Sequence, residues 1–116
     1  MTGIRLAREE GAAVVTARGE LDAFNVDELT CTFAEIDGAE ALVIDLSRVS
    51  FLDSTALGCI VRKVNEVAER SGRASVVLPS SSARRIFEIT TLDRVLPTSG
   101  SRDDALRELA QPSGGV

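Results

Sequence analysis

Hydrophobic and polar positions along this chain change their period several times, and each change marks an element. Ile4 to Arg8 alternates apolar and polar side chains, as a half-buried strand does. Ala12-Ala13-Val14-Val15-Thr16-Ala17-Arg18 lies between Gly11 and Gly19 and predicts a second strand, paired with the first as a hairpin. Val26, Leu29, Phe33 and Ile36 then recur at helical spacing. Asn25 is the expected N-cap of that helix, Glu28 completes a capping box, and Gly38 closes it. Ala41-Leu42-Val43-Ile44-Asp45-Leu46 is a nearly unbroken apolar run, which predicts a central strand covered on both sides. From Leu57 onward, Ile60, Val61, Val64, Val67 and Ala68 form one helical stripe. Arg62, Lys63, Glu66, Glu69 and Arg70 are expected outside, with Gly72 as the stop. Ala74 to Leu78 reads as a further strand, ended by Pro79. Ser80 to Ser82 offer caps for a helix with Ile86, Phe87 and Ile89 inward, and Thr91 to Pro97 turns the chain back. A last helix is expected from about Arg102 to Ala110, with Ser101 as cap and Asp103 and Asp104 at its positive end.

The predicted order is β-β-α-β-α-β-α-(β)-α. Helices that follow strands imply parallel crossovers, and the opening hairpin adds an antiparallel edge. The expected fold class is α/β, an open mixed sheet of four to five strands with about four helices mainly on one face. Residues 1–111 form one expected domain, and the Pro-Ser-Gly-Gly stretch within 112–116 reads as a flexible tail. In such sheets, ligands and partners gather where strand ends lead into helices.

Composition narrows the chemistry. Apolar residues make up 44% of 116 positions, enough for a core without staples, but aromatics are limited to four Phe. Little is therefore available to stack on bases, and a net charge of −5 argues against a phosphate backbone as partner. The absence of histidine removes the commonest general base and metal ligand, and no cofactor is expected. Cys31 and Cys59 lack metal-ligand spacing, and each reads as a small buried hydrophobe. Arg84-Arg85 reads as a solvated helix face. No 18-residue apolar run occurs and the first residues do not form a signal peptide, so the expected setting is the cytoplasm, away from membranes.

One stretch carries more polar chemistry than structure requires: Phe51-Leu52-Asp53-Ser54-Thr55-Ala56-Leu57-Gly58. Asp53 suits a helix N-cap, worth on the order of 1 kcal/mol. Ser54 and Thr55 follow at the positive end of the helix, where a phosphate would be favoured. The residues alone leave two readings, a helix cap with surplus hydroxyls or a functional serine. There is no P-loop and no G-x-S-x-G elbow, which weighs against a nucleotide site and against a serine hydrolase.

The run Val43-Ile44-Asp45-Leu46-Ser47-Arg48-Val49-Ser50-Phe51-Leu52-Asp53-Ser54-Thr55-Ala56-Leu57-Gly58 resembles the signature of STAS domains, specifically of bacterial anti-sigma factor antagonists. Gly19-Glu20-Leu21-Asp22, Leu92-Asp93 with Val95-Leu96, and Asp104-Ala105-Leu106 resemble further family motifs in the right order, so the likeness spans nearly the whole chain. The resemblance implies that Ser54 is a phosphoacceptor. The implied partner is an anti-sigma factor with an ATP-binding serine kinase domain. The unphosphorylated form would bind that kinase and release its sigma factor, and a serine phosphatase would reset the switch. The resemblance thus implies a kinase substrate and not an enzyme. Thr55 replaces the usual second Ser and Ala56 the usual Gly; the Ala56 methyl is expected to restrict which kinases approach Ser54. The implied partner surface comprises Asp22, Asn25, Asp53, Ser54, Thr55, Ala56 and Arg62. A STAS scaffold or accessory module of a stress-signalling or transporter complex is the alternative, and a weak homodimer is compatible with either.

Overall fold

The computed structural model of the chain describes residues 3–110. The expected flexible tail at 112–116 lies outside them. Strand β1 (Gly3–Glu9) runs antiparallel to β2 (Ala12–Leu21) through a two-residue turn in which both Glu10 (φ +50°) and Gly11 (φ +83°) are left-handed. Helix α1 (Val26–Glu35) then leads to β3 (Ala41–Leu52), and helix α2 (Ser54–Glu69) leads to β4 (Arg73–Val77). A 3-10 turn (Ser82–Arg84) opens into two short helices, α3 (Arg85–Ile89) and α4 (Leu92–Val95). Strand β5 (Thr98–Ser99) and helix α5 (Arg102–Ala110) are the last described elements. The five strands lie in chain order in one sheet, and β2 to β5 are mutually parallel.

The apolar run in β3 is explained by cover on both faces. Leu42, Ile44 and Leu46 join Ala13, Val15, Ala17, Val76 and Leu78 beneath α1, α2 and Phe87 of α3. On the opposite face, Val43, Ala12, Val14 and Val77 meet Ala105 and Leu106 of α5. Helices α1 to α4, the last through Leu92, thus take one face and α5 takes part of the other. β3 continues to Leu52, well past the Leu46 that ended the apolar pattern. Between Thr16/Arg18 and between Gly19/Glu20 the register with β2 shifts, each time by one extra residue on β3. Such bulges bend a strand and end its simple alternation, which hides the extension from a period-2 reading.

Several local expectations are corrected. Asn25 does not cap α1: its side chain faces back along the chain instead, and there is no capping box. Ile89 is 72% exposed, because two residues along a helix turn it to the side opposite the buried Phe87. Helix α2 starts at Ser54 behind its Asp53 cap, as expected, and is left through Ser71 at φ +65°. Gly72 serves a different purpose from the expected stop: a Cβ there would come within 2.8 Å of both the Glu40 carbonyl and Val67 Cγ1. Lys63, expected outside, is only 5% exposed. It lies in the crevice between α1 and α2, lined by Phe33, Ala34, Cys59 and Asp37 among others, where an aliphatic stem packs well. At the crevice edge Arg70 binds Asp37 at 2.7 Å, and this hydrogen bond and charge hold the Asp37 carboxyl below the usual range. Cys59 is buried and touches the Thr30 hydroxyl at 3.5 Å, whereas Cys31 is exposed on α1, contrary to expectation, and both are free thiols.

Candidate functional site

The site is assembled where β2 and β3 end side by side, with Leu21 opposite Leu52. The Asp53 amide donates to the Leu21 carbonyl at 3.1 Å, which fixes the strand-to-helix corner. Asp53 is extended (φ −97°, ψ 176°), so its side chain faces the free amides of α2. One carboxylate oxygen, Oδ1, accepts from the Ala56 amide at 2.9 Å. The other, Oδ2, accepts from the Ala23 amide at 2.9 Å, thirty residues away in sequence. One residue therefore caps the helix and clamps the loop after β2 against it.

That loop has no loose amide. Asp22 N–H donates to Asn25 Oδ1, Phe24 N–H donates to Asp22 Oδ1, each at 2.9 Å, and Asn25 N–H donates to the Asp22 carbonyl at 3.1 Å. Asn25 Nδ2 donates to the Glu20 carbonyl at 2.7 Å. With the Ala23 amide held by Asp53, all four backbone N–H groups from Asp22 to Asn25 are satisfied locally. Asp22 and Asn25 thus sit beside the start of α2 in a hydrogen-bonded turn, and not in a helix cap.

Ser54 and Thr55 open α2 with exposed side chains. Neither hydroxyl has a hydrogen-bond partner among the described residues. Arg62 is exposed two turns further along, on the stripe Ser54-Gly58-Arg62 that successive helical turns align. Its guanidinium lies back over Gly58, 3.8 Å from where a Cβ there would stand. Ala56 departs from expectation. It is fully buried in the main core, and its methyl faces away from any partner. The domain's need for a small core residue explains it.

Phe24 is the residue that sequence reading missed. It is 97% exposed at the tip of the Asp22–Asn25 loop. An aromatic inside a turn-forming run, out of register with the Val26, Leu29, Phe33, Ile36 stripe, was the available signal. Phe51, two residues before Asp53, is also 48% exposed. Large apolar groups so placed are costly to leave in water and suit a partner surface. Among the described residues there is no group of three or more potential metal ligands, and no helix is long and apolar enough to cross a membrane.

Comparison with known proteins gives the family and the fold. The STAS domain family profile matches residues 4–105. The anti-sigma-F factor antagonist RsfB of Mycobacterium tuberculosis is 33% identical over 105 residues, covering 89% of this chain and 85% of that one. The anti-sigma-B factor antagonist of Staphylococcus aureus is 34% identical over 80 residues, covering 67% of this chain and 74% of its own. Among solved structures, an anti-sigma factor antagonist from Mycobacterium paratuberculosis superimposes with a TM-score of 0.85, at 29% identity and 96% coverage of both chains.

Proposed function

The chain belongs to the STAS domain family, and from that premise we propose that it is an anti-sigma factor antagonist switched by phosphorylation of Ser54. In this reading the unphosphorylated form binds an anti-sigma factor that carries an ATP-dependent serine kinase domain, and the sigma factor is set free. The kinase then transfers the γ-phosphoryl group of its ATP to Ser54 Oγ; ADP leaves, and the hydroxyl proton passes to a base on the kinase. A serine phosphatase restores the hydroxyl. The chain is the substrate in this cycle and supplies no catalytic group.

The observation that carries the reading is the Ser54 hydroxyl: exposed, unpartnered among the described residues, and at the first position of a long helix. Asp53 beside it is already committed through both oxygens, so it does not compete for the hydroxyl. Asp22, Asn25, Thr55 and Arg62 frame the partner surface, and Phe24 supplies its apolar anchor, since aromatic side chains in the centre of an interface contribute most to affinity. A phosphate would add about −1.5 to −2 charges next to Asp53. Against a partner shaped for a neutral hydroxyl, burying that charge costs several kcal/mol, and each 1.4 kcal/mol is tenfold in affinity.

The test is a pull-down from the source cell with Ser54→Ala as bait, followed by binding measurements with the recovered partner in the presence of ATP. Retention of an anti-sigma factor with an ATPase domain, held permanently by Ser54→Ala and poorly by Ser54→Asp, supports the reading. If both variants bind as the wild type does, the switch is wrong. Recovery of a transporter subunit or a large scaffold instead would overturn the partner.

A further inference from the structure

Helix α5 leaves half of its sheet face bare. Ala105 and Leu106 cover Ala12, Val14, Val43 and Val77, but α5 begins only at Arg102. Beyond that residue the same face continues in two cross-strand rows set by the register: Arg5–Thr16–Asp45 and Gly3–Arg18–Arg48. These side chains, together with Ser47 and Arg102, line an open cavity of about 640 Å³.

Its charge is unlike that of the molecule. The chain carries a net −5, yet four arginines meet here around one lining carboxylate, Asp45. Asp45 is 6% exposed and accepts from the Ser47 amide at 2.9 Å. Arg102 is paired with Glu9. Arg5, Arg18 and Arg48 are exposed and have no ion pair or hydrogen bond among the described residues. A solvated sheet face needs only polar residues, and like charges directly opposite one another, as at Arg18 and Arg48, destabilise a sheet. Gly3 opens the edge strand further, since a Cβ there would come within 3.2 Å of Arg18 Nε. Unpaired guanidiniums converging on a concave floor are a donor array for anions, each able to bind a phosphate through two parallel hydrogen bonds.

We propose that this bare half of the sheet binds a small polyanion carrying two or more linked phosphate groups, clamped by Arg5, Arg18 and Arg48 with Arg102 at the α5 end. The cavity has the volume of a small-ligand site. It is separate from the Ser54 corner, which rises from the strand ends, so the two proposals stand or fall independently.

The experiment is a titration of the isotopically labelled full chain with inorganic pyrophosphate, and separately with ADP, in 150 mM salt, followed by backbone amide shifts. Saturable shifts centred on Arg5, Thr16, Arg18, Ser47 and Arg48, with a dissociation constant below about 1 mM, are expected. Arg48→Gln should weaken binding at least tenfold, and Arg18→Gln should do the same. Arg70→Gln, which removes the same charge from the far end of α2, should leave binding unchanged, and thermal unfolding verifies that each variant folds. Tighter binding of ADP than of pyrophosphate assigns the site to nucleoside-borne phosphates, and equal binding assigns it to bare polyphosphate. Absence of saturable shifts, shifts centred on Ser54 to Ala56, or equal weakening by Arg70→Gln would each overturn the proposal.

Discussion

Replacing Asp53 by Ala removes two hydrogen bonds at once, because its oxygens serve two different elements. The first is the cap on α2 through the Ala56 amide; the second is the clamp on the Asp22–Asn25 loop through the Ala23 amide. Loss of a cap costs about 1 kcal/mol. A hydrogen bond between a carboxylate and an amide contributes about 1.5 kcal/mol, lowered here because the exposed Ala23 amide can turn to water. A negative charge at a helix start adds a few tenths of a kcal/mol. Asp53→Ala should therefore lose about 2 kcal/mol, or roughly 8 °C in Tm for a domain near 100 residues. Asp53→Asn keeps an acceptor for one amide but not both and should lose about half as much. Equilibrium urea unfolding followed by circular dichroism gives both values, and amide exchange at Ala23 reports the clamp directly. A loss under about 0.5 kcal/mol in Asp53→Ala, the usual range for an uninvolved surface substitution, would refute the double role. So would Asp53→Ala with an Ala23 amide as protected as in the wild type.

Gly72→Ala should cost about 1–3 kcal/mol in urea unfolding, since its Cβ would press on the Glu40 carbonyl and Val67. Phe24→Ala should leave stability within about 0.5 kcal/mol, the side chain being 97% exposed. The same change should weaken the anti-sigma factor complex at least tenfold by calorimetry, about 1.4 kcal/mol. Asp37 titrates below the ordinary carboxylate range because of the hydrogen bond and charge of Arg70. Its contribution to stability is thus present above the ordinary value and lost as pH falls through the lowered one. Arg70→Gln should raise the midpoint of the Asp37 carboxyl in an NMR titration, and an unmoved midpoint would reject the pairing as its cause.

Element order and sheet class were legible in the sequence because periodicity follows burial, and this sheet buries one face along nearly its whole length. The unbroken run from Ala41 to Leu46 gave away double cover, though not which helix supplied the second layer. Where a side chain serves something other than the period, reading failed. Asn25 fits a cap by residue type, but the reciprocal bonds with Asp22 and the Glu20 carbonyl claim its amide first. Lys63 looks external by charge, yet the crevice between α1 and α2 takes its stem. Ala56 looked like a functional departure and is a core residue. Asp53 was legible as a cap, whereas its bond to Ala23 spans thirty positions and leaves no periodic trace. The arginines at 5, 18 and 48 are scattered in sequence and meet only through the register.

At the Ser54 corner, the side chains that hold the fold differ from those proposed to meet a partner. Leu52, Ala56 and Leu57 belong to the core, and Asp53 spends both oxygens inside the domain. What faces outward is Ser54, Thr55, Phe24 and Arg62, all exposed and none holding the fold through a side-chain hydrogen bond among the described residues. A group that carries no stability can change its charge without unfolding anything. In the proposed switch, a phosphate on Ser54 would meet a loop and a helix start already tied together by Asp53. Its whole effect would then fall on the partner, where the charge must be desolvated, and not on the conformation of the chain. A few kcal/mol at that surface is worth two or more decades in affinity. In that switch, the order that Asp53 gives the corner would convert one local charge into release of a partner.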